Sequence, residues 1–244
     1  MSAPSYRDYW PLAAKRWSNL TLRPSQAAEI LATAKKLCGG AYKPRYQAIA
    51  NTTGVPWYVI AVLHERESGA NFNRQLAQGD PLNRRSTNEP ISGPFATFAA
   101  SAEWALAHDH LNKVIDWRIE KILYWCEAWN GWGYWTNHPG TPSPYVWGGT
   151  SVQKSGKYIA DHVWSSTAWD TQLGCAAMLY EMAKVDPSIK FVRETPEGIP
   201  GDAAPPVSPP TPNAARKPIP PPPTVVTTAT KVSAPSRFWH WLTS

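Results

Sequence analysis

Apolar residues recur at helical spacing in several stretches, separated by glycine- and proline-rich breaks, a pattern that predicts a mainly helical chain. Residues 26–38 carry Ala28, Leu31, Ala32 and Leu37, with Ser25 as the expected N-cap and Gly39-Gly40 as the stop. A second helix is expected over 43–53, with Tyr46, Ile49 and Ala50 inward. Residues 97–112, 117–129 and 167–184 read as three more. The aromatic segment 6–17 is expected to pack on the domain.

The central stretch is 55–72, VPWYVIAVLHERESGANF. Val59, Ile60, Val62 and Leu63 lie at helical spacing after Gly54 and Pro56, and Gly69 ends the run. At roughly 100° per residue, Glu67 falls four residues after Leu63 and seven after Ile60, on the apolar stripe, while Glu65 projects from nearly the opposite side. Glu67 is therefore expected to point inward. Apolar surroundings disfavour its charged form and raise its pKa, as a glycosidase general acid requires. The plainer alternative is an ion pair with Arg45, Arg66 or Arg74.

Residues 73–98 are dense in turn formers, which predicts a loop with a small β-hairpin. Asp80, Glu89, Ser86 and Thr87 are its polar candidates. The run 133–150 reads as an aromatic loop in which Trp132, Tyr134, Trp135, Tyr145 and Trp147 could stack on sugar faces. Asp161 and Asp170 are the late carboxylates within possible reach. From 196 to 235 the chain turns to Pro, Ala, Thr and Val, including Pro220 to Pro223, so residues 194–244 are expected to be a disordered tail with a short aromatic and basic end. The folded domain is placed at 1–193.

A net charge of +6 favours an anionic partner. The cations are scattered and match no nucleic-acid-binding motif, so nucleic acid is not expected. Cys38, Cys126 and Cys175 are odd in number and form no Cys-x-x-Cys, which predicts free thiols. His108 and His110 face different ways on a helix, so no metal site and no cofactor are expected. The N-terminus lacks an apolar signal-peptide core and no run spans a bilayer, which predicts cytoplasmic synthesis without stable membrane insertion. A monomer is expected.

Arg66-Glu67-Ser68 resembles the triplet at the catalytic glutamate of goose-type lysozymes, and Glu67-Ser68 followed by Phe72 resembles the Glu-Ser…Phe motif of soluble lytic transglycosylases. Ala128-Trp129-Asn130-Gly131 resembles the transglycosylase Ala-Tyr-Asn-x-Gly motif, which closes a helix beside the catalytic acid. Gly93-Pro94-Phe95 stands where those families carry Gly-Leu-Met-Gln; with no glutamine there, only the close backbone approach of Gly93 carries over. The run from Val55 through Phe95 to Ser143-Pro144-Tyr145-Val146-Trp147 is similar to a lysozyme-family protein of bacteriophages and prophages.

The resemblance implies a lysozyme-like helical fold and a substrate, bacterial peptidoglycan, cut at the β-1,4 bond between N-acetylmuramic acid and N-acetylglucosamine. Glu67 would be the general acid, with Ser68, Asp80, Gly93, Asn130, Tyr134, Tyr145 and Trp147 as substrate-binding residues. Hydrolysis is placed slightly ahead of the transglycosylase route to 1,6-anhydro products. A non-catalytic wall-binding module and a chitinase- or chitosanase-like enzyme remain as other classes. Action on the wall without a signal peptide would fit an endolysin released through a holin pore or an enzyme carried in the virion.

Overall fold

The computed structural model describes residues 3–87, 89–160 and 163–193. Among them the chain is mainly helical, with nine α-helices and one two-stranded sheet. The Pro-rich tail expected over 194–244 and the carboxylate of Asp161 lie outside the described residues.

The segment expected only to pack on the domain is a full helix, α1 (Tyr6–Ser18). Ser5 caps it by accepting from the Asp8 backbone N–H while the Asp8 side chain accepts from the Ser5 N–H, a reciprocal box that starts the helix despite Pro11 inside it. Next come α2 (Ala27–Cys38) and α3 (Lys43–Thr53). Ser25 is not the N-cap of α2: it sits in a 3-10 turn, Pro24–Gln26, and Gln26 takes the cap position. Gly54, at φ 74°, ends α3 in the left-handed conformation, and Pro56 opens α4 (Trp57–Ser68) two residues later.

The apolar character of α4 is wider than one stripe. Every residue from Val59 to His64 is buried, as are Arg66, Glu67 and Ser68, so the helix runs through the core rather than along its surface. Glu65 alone in its second half keeps some exposure and pairs with Lys36 at 2.6 Å. At the C-terminus Gly69 (φ 65°) and Ala70 (φ 57°) are both left-handed, which turns the chain sharply away just after Glu67. Phe72 folds back into an aromatic cluster with Tyr46, His64 and Phe98, where His64 stacks on Phe98 with ring centroids 4.0 Å apart.

The expected hairpin after α4 is absent: residues 69–97 hold only an isolated bridge between Arg74 and Pro81 among the described residues. A buried glutamine supplies the order instead. Gln75 donates through Nε2 to the carbonyls of Pro81 (3.1 Å) and Arg84 (2.7 Å), and its Oε1 accepts from Ser92 Oγ (2.7 Å). One side-chain amide thus satisfies backbone groups that a strand ladder would otherwise have had to pair.

Then follow α5 (Phe98–His108), capped by Thr97, and α6 (Ile119–Asn130). His108 stacks on Trp104, and no group of three metal-ligating side chains forms among the described residues. The run read as an aromatic loop is instead two short helices, α7 (Gly133–Asn137) and α8 (Pro144–Trp147). The sheet lies later, as an antiparallel pair of β1 (Lys157–Ala160) and β2 (Val163–Ser165), with Tyr158 opposite Trp164. The last helix, α9 (Cys175–Val185), starts eight residues later than the periodicity predicts. Gly174, the extended residue just ahead of the helix, lies tight against the end of α8: a Cβ there would sit 2.4 Å from the Gly148 nitrogen.

Packing places α2 against α9, α1 against α6 and α3 against α4, with α4 and α8 also against α9. The ends of α4 and α6 and the whole of α8 therefore meet inside the core. All three cysteines are free, and Cys126 and Cys175 lie in that core. No helix of the described residues is long and apolar enough to cross a membrane.

Candidate active site

Glu67 stands on the last turn of α4, 1% exposed. Its Oε1 accepts two hydrogen bonds, from Trp129 Nε1 at 2.9 Å and from the Tyr145 hydroxyl at 2.9 Å. Trp129 comes from the last turn of α6 and Tyr145 from α8, so three elements far apart in sequence converge on one carboxyl oxygen. An indole and a phenol hold this oxygen. Burial, followed by the neighbouring Glu67 charge, pushes the Tyr145 hydroxyl well above its ordinary pKa and keeps it a donor.

Arg66 lies beside this centre, 4% exposed. Its guanidinium stands 4.6 Å from the Tyr145 ring centroid, donates to the Leu173 carbonyl at 3.3 Å and faces Asp170 at 3.8 Å. Asp170 is also 3.6 Å from Lys157, so this late carboxylate reaches the site as the counter-ion of Arg66. Cation, phenol and Glu67 form one buried polar row through the core.

The remaining predicted residues divide. Ser68 bonds back to the His64 carbonyl at 3.4 Å along its own helix. Asn130 is buried at the end of α6, and its Nδ2 has no hydrogen-bond partner among the described residues. Asp80 accepts from Ser86 Oγ at 2.6 Å within the loop after α4. Gly93 (φ 74°) does make a close backbone approach, but to its own loop: a Cβ would lie 2.8 Å from Gln75 Nε2 and 2.9 Å from the Arg84 carbonyl oxygen. That loop touches α4 through Gly79, where a Cβ would lie 2.5 Å from the Glu67 carbonyl oxygen.

The aromatic residues are not arrayed on an open wall. Tyr134, Tyr145 and Trp147 are all buried, and Trp132 and Trp135 are half-buried. For Tyr145 and Trp147 the physical reason is α8, a short turn that packs against α6 and α9. Trp147 lies in the core with Arg16 5.6 Å from its ring centroid. Tyr134 packs edge-on to Tyr158 and Trp164 of the hairpin.

A second buried carboxyl, Glu127, lies outside the runs that resemble family motifs. It lines a cavity of about 180 Å³ with Tyr9, Arg16, Tyr134, Trp135 and Ser143. Burial pushes its pKa up to about 8, against the opposing influence of Arg16 and the Ser143 and Tyr9 hydroxyls. The sequence signal was present: Glu120, Leu123, Glu127 and Asn130 follow one another at three- and four-residue intervals, a single face of α6.

No family model, no curated protein and no solved structure matches this chain.

Proposed function

We propose that the chain is a peptidoglycan glycosidase in which Glu67 is the general acid. The observation that carries this reading is the pair of hydrogen bonds on Glu67 Oε1. Each of the three runs that resemble family motifs contributes one residue to this contact: Glu67 the oxygen, Trp129 and Tyr145 the two donors. An acid with two donors on Oε1 carries its proton on the other oxygen, in one fixed orientation, which meets the positional demand of general acid catalysis.

In this mechanism Glu67 protonates the bridging oxygen between the two sugars as positive charge develops on the departing muramic sugar. Attack by water then gives a hydrolase. Attack by the sugar's own 6-hydroxyl, with Glu67 taking up that proton, gives a transglycosylase and a 1,6-anhydro product. Hydrolysis is the primary proposal.

A second reading has its own observation. With 1% exposure and two donors, Glu67 also fits a structural carboxylate that ties α4, α6 and α8 together, as in a wall-binding module without catalysis.

The test is to incubate the protein and a Glu67→Gln variant with isolated peptidoglycan and weigh the soluble fragments by mass spectrometry. Reducing muramic ends released by the parent and not by the folded variant support the hydrolase, and anhydro ends support the transglycosylase. Absence of release by the parent while it still sediments with the wall overturns the enzymatic reading and favours the binding module.

A further inference from the structure

The cavity beside Glu127 has walls and a floor of different chemistry. Tyr9, Tyr134 and Trp135 supply aromatic sides, and the floor is polar. Glu127 is 3% exposed and Ser143 2%, yet Glu127 Oε1 and Ser143 Oγ both lack a hydrogen-bond partner among the described residues. The hydroxyls of Ser143 and Tyr9 are near enough to favour the carboxylate electrostatically, but neither closes a bond on Oε1; the Tyr9 hydroxyl instead donates to the Leu123 carbonyl at 3.4 Å. Arg16, half-buried at the edge, meets the Trp147 ring and forms no ion pair with Glu127. Buried polar groups without partners are costly, so a cavity lined by two of them is suited to a ligand that supplies the missing bonds.

We propose that this cavity binds a small monocarboxylate with one ring or a short apolar body, its carboxylate on Arg16 and the polar floor, its body between the aromatic walls. The proposal does not rest on the catalytic reading of Glu67.

Charge selects the ligand class. The groups facing Glu127 are Arg16 and Tyr9 from α1, Tyr134 from α7 and Ser143 ahead of α8. Below its raised pKa of about 8 Glu127 is neutral, which leaves Arg16 as the formal charge lining the cavity. An anion is favoured and a cation is not. A carboxylate also matches the fork of a guanidinium, and a protonated Glu127 and the Ser143 hydroxyl can both donate to it. Size is compatible with this class: a cavity of about 150 Å³ is known to take benzene, so about 180 Å³ suffices for one ring.

The experiment uses benzoate and its uncharged isostere benzamide as probes, followed by ligand-observed NMR on the intact chain. Benzoate is expected to bind at least tenfold more tightly than benzamide at pH 7. Its affinity should fall at least fivefold between pH 7 and 9, as Glu127 ionises and repels it. Arg16→Met should abolish the preference for benzoate, and Glu127→Gln should keep binding while removing the decline with pH. If Arg16→Met does not fold, the pH dependence of the unmodified protein decides alone. Equal binding of both probes, no binding of benzoate at millimolar concentration, or a benzoate affinity unchanged from pH 7 to 9 overturns the proposal.

Discussion

The indole of Trp129 and the carboxyl of Glu67 are 62 positions apart in sequence and 2.9 Å apart in space, joined by a hydrogen bond from Nε1 to Oε1. This contact closes the end of α6 onto the end of α4, so the strength of the junction and the orientation of the carboxyl depend on the same atoms. Changes at this point should consequently be read both as stability and as activity.

Glu67→Gln keeps the size of the side chain and removes its acid. Release of peptidoglycan fragments is expected to fall by about 10²–10⁴-fold, the usual contribution of a positioned general acid. Thermal unfolding of the variant separates the two roles of the residue. Near-parental release from a normally folded Glu67→Gln variant would sink the catalytic assignment.

Tyr145→Phe removes one donor from Glu67 and leaves the ring under Arg66. The expected cost is about 0.5–1.5 kcal/mol, the range for a hydrogen bond to an uncharged group such as a protonated Glu67, measured by urea unfolding. Activity should fall as well, because Oε1 loses the donor that Tyr145 supplies. A variant as stable and as active as its parent would show that the Tyr145 hydroxyl is not part of the centre.

Two buried groups should shape the pH dependence of stability in opposite senses. Burial lowers the pKa of His64 from 6.5 to about 3, so the unfolded chain takes up the proton first; the contribution is complete above pH 6.5 and is lost as the pH falls toward 3. Burial raises Glu127 from 4.5 to about 8, so the folded chain keeps its proton longer; that contribution is complete below pH 4.5 and is lost as the pH rises through 8. Each slope approaches about 1.4 kcal/mol per pH unit, and the two oppose each other where the windows overlap. Urea unfolding between pH 3 and 9 should show His64→Gln flattening the acid side and Glu127→Gln the alkaline side. Parental slopes in both variants would contradict the assignment.

Gly79 and Gly54 share a left-handed backbone, with φ 65° and 74°, but differ in surroundings. Around Gly54 a Cβ would meet nothing within 4 Å, whereas at Gly79 it would strike the Glu67 carbonyl at 2.5 Å. Gly54→Ala should therefore cost only the conformational penalty of about 1–2 kcal/mol. Gly79→Ala should cost more and should also lower fragment release, since the end of α4 must move. Equal thermal shifts for the two variants would refute the close approach.

Much of the fold was legible in local patterns. The bounds of α3 follow from the sequence alone, and α2, α4 and α6 are found within a few residues, because apolar spacing and glycine stops act over a single turn. Helix α1 was harder to see, since Pro11 interrupts a pattern that the Ser5 and Asp8 box restores. The hairpin was assigned to residues 73–98, where turn formers cluster, yet the side chain of Gln75 orders that loop without a ladder. What satisfies those carbonyls is a contact across the loop, which turn composition does not encode.

The sequence by itself determined that Glu67 faces inward, because helical periodicity fixes the direction of a side chain relative to its own neighbours. It also singled out the end of α6 and the residues around Tyr145 as chemically notable. Only the tertiary structure decided that Trp129 and Tyr145 donate to the same oxygen, that Asp170 serves Arg66, and that the rings of Tyr134, Tyr145 and Trp147 turn into the core. Those outcomes depend on how α4, α6 and α8 pack together. Glu127 belongs with them: its place on α6 was fixed locally, but its elevated pKa arises from a cavity whose other walls come from α1, α7 and the chain leading into α8.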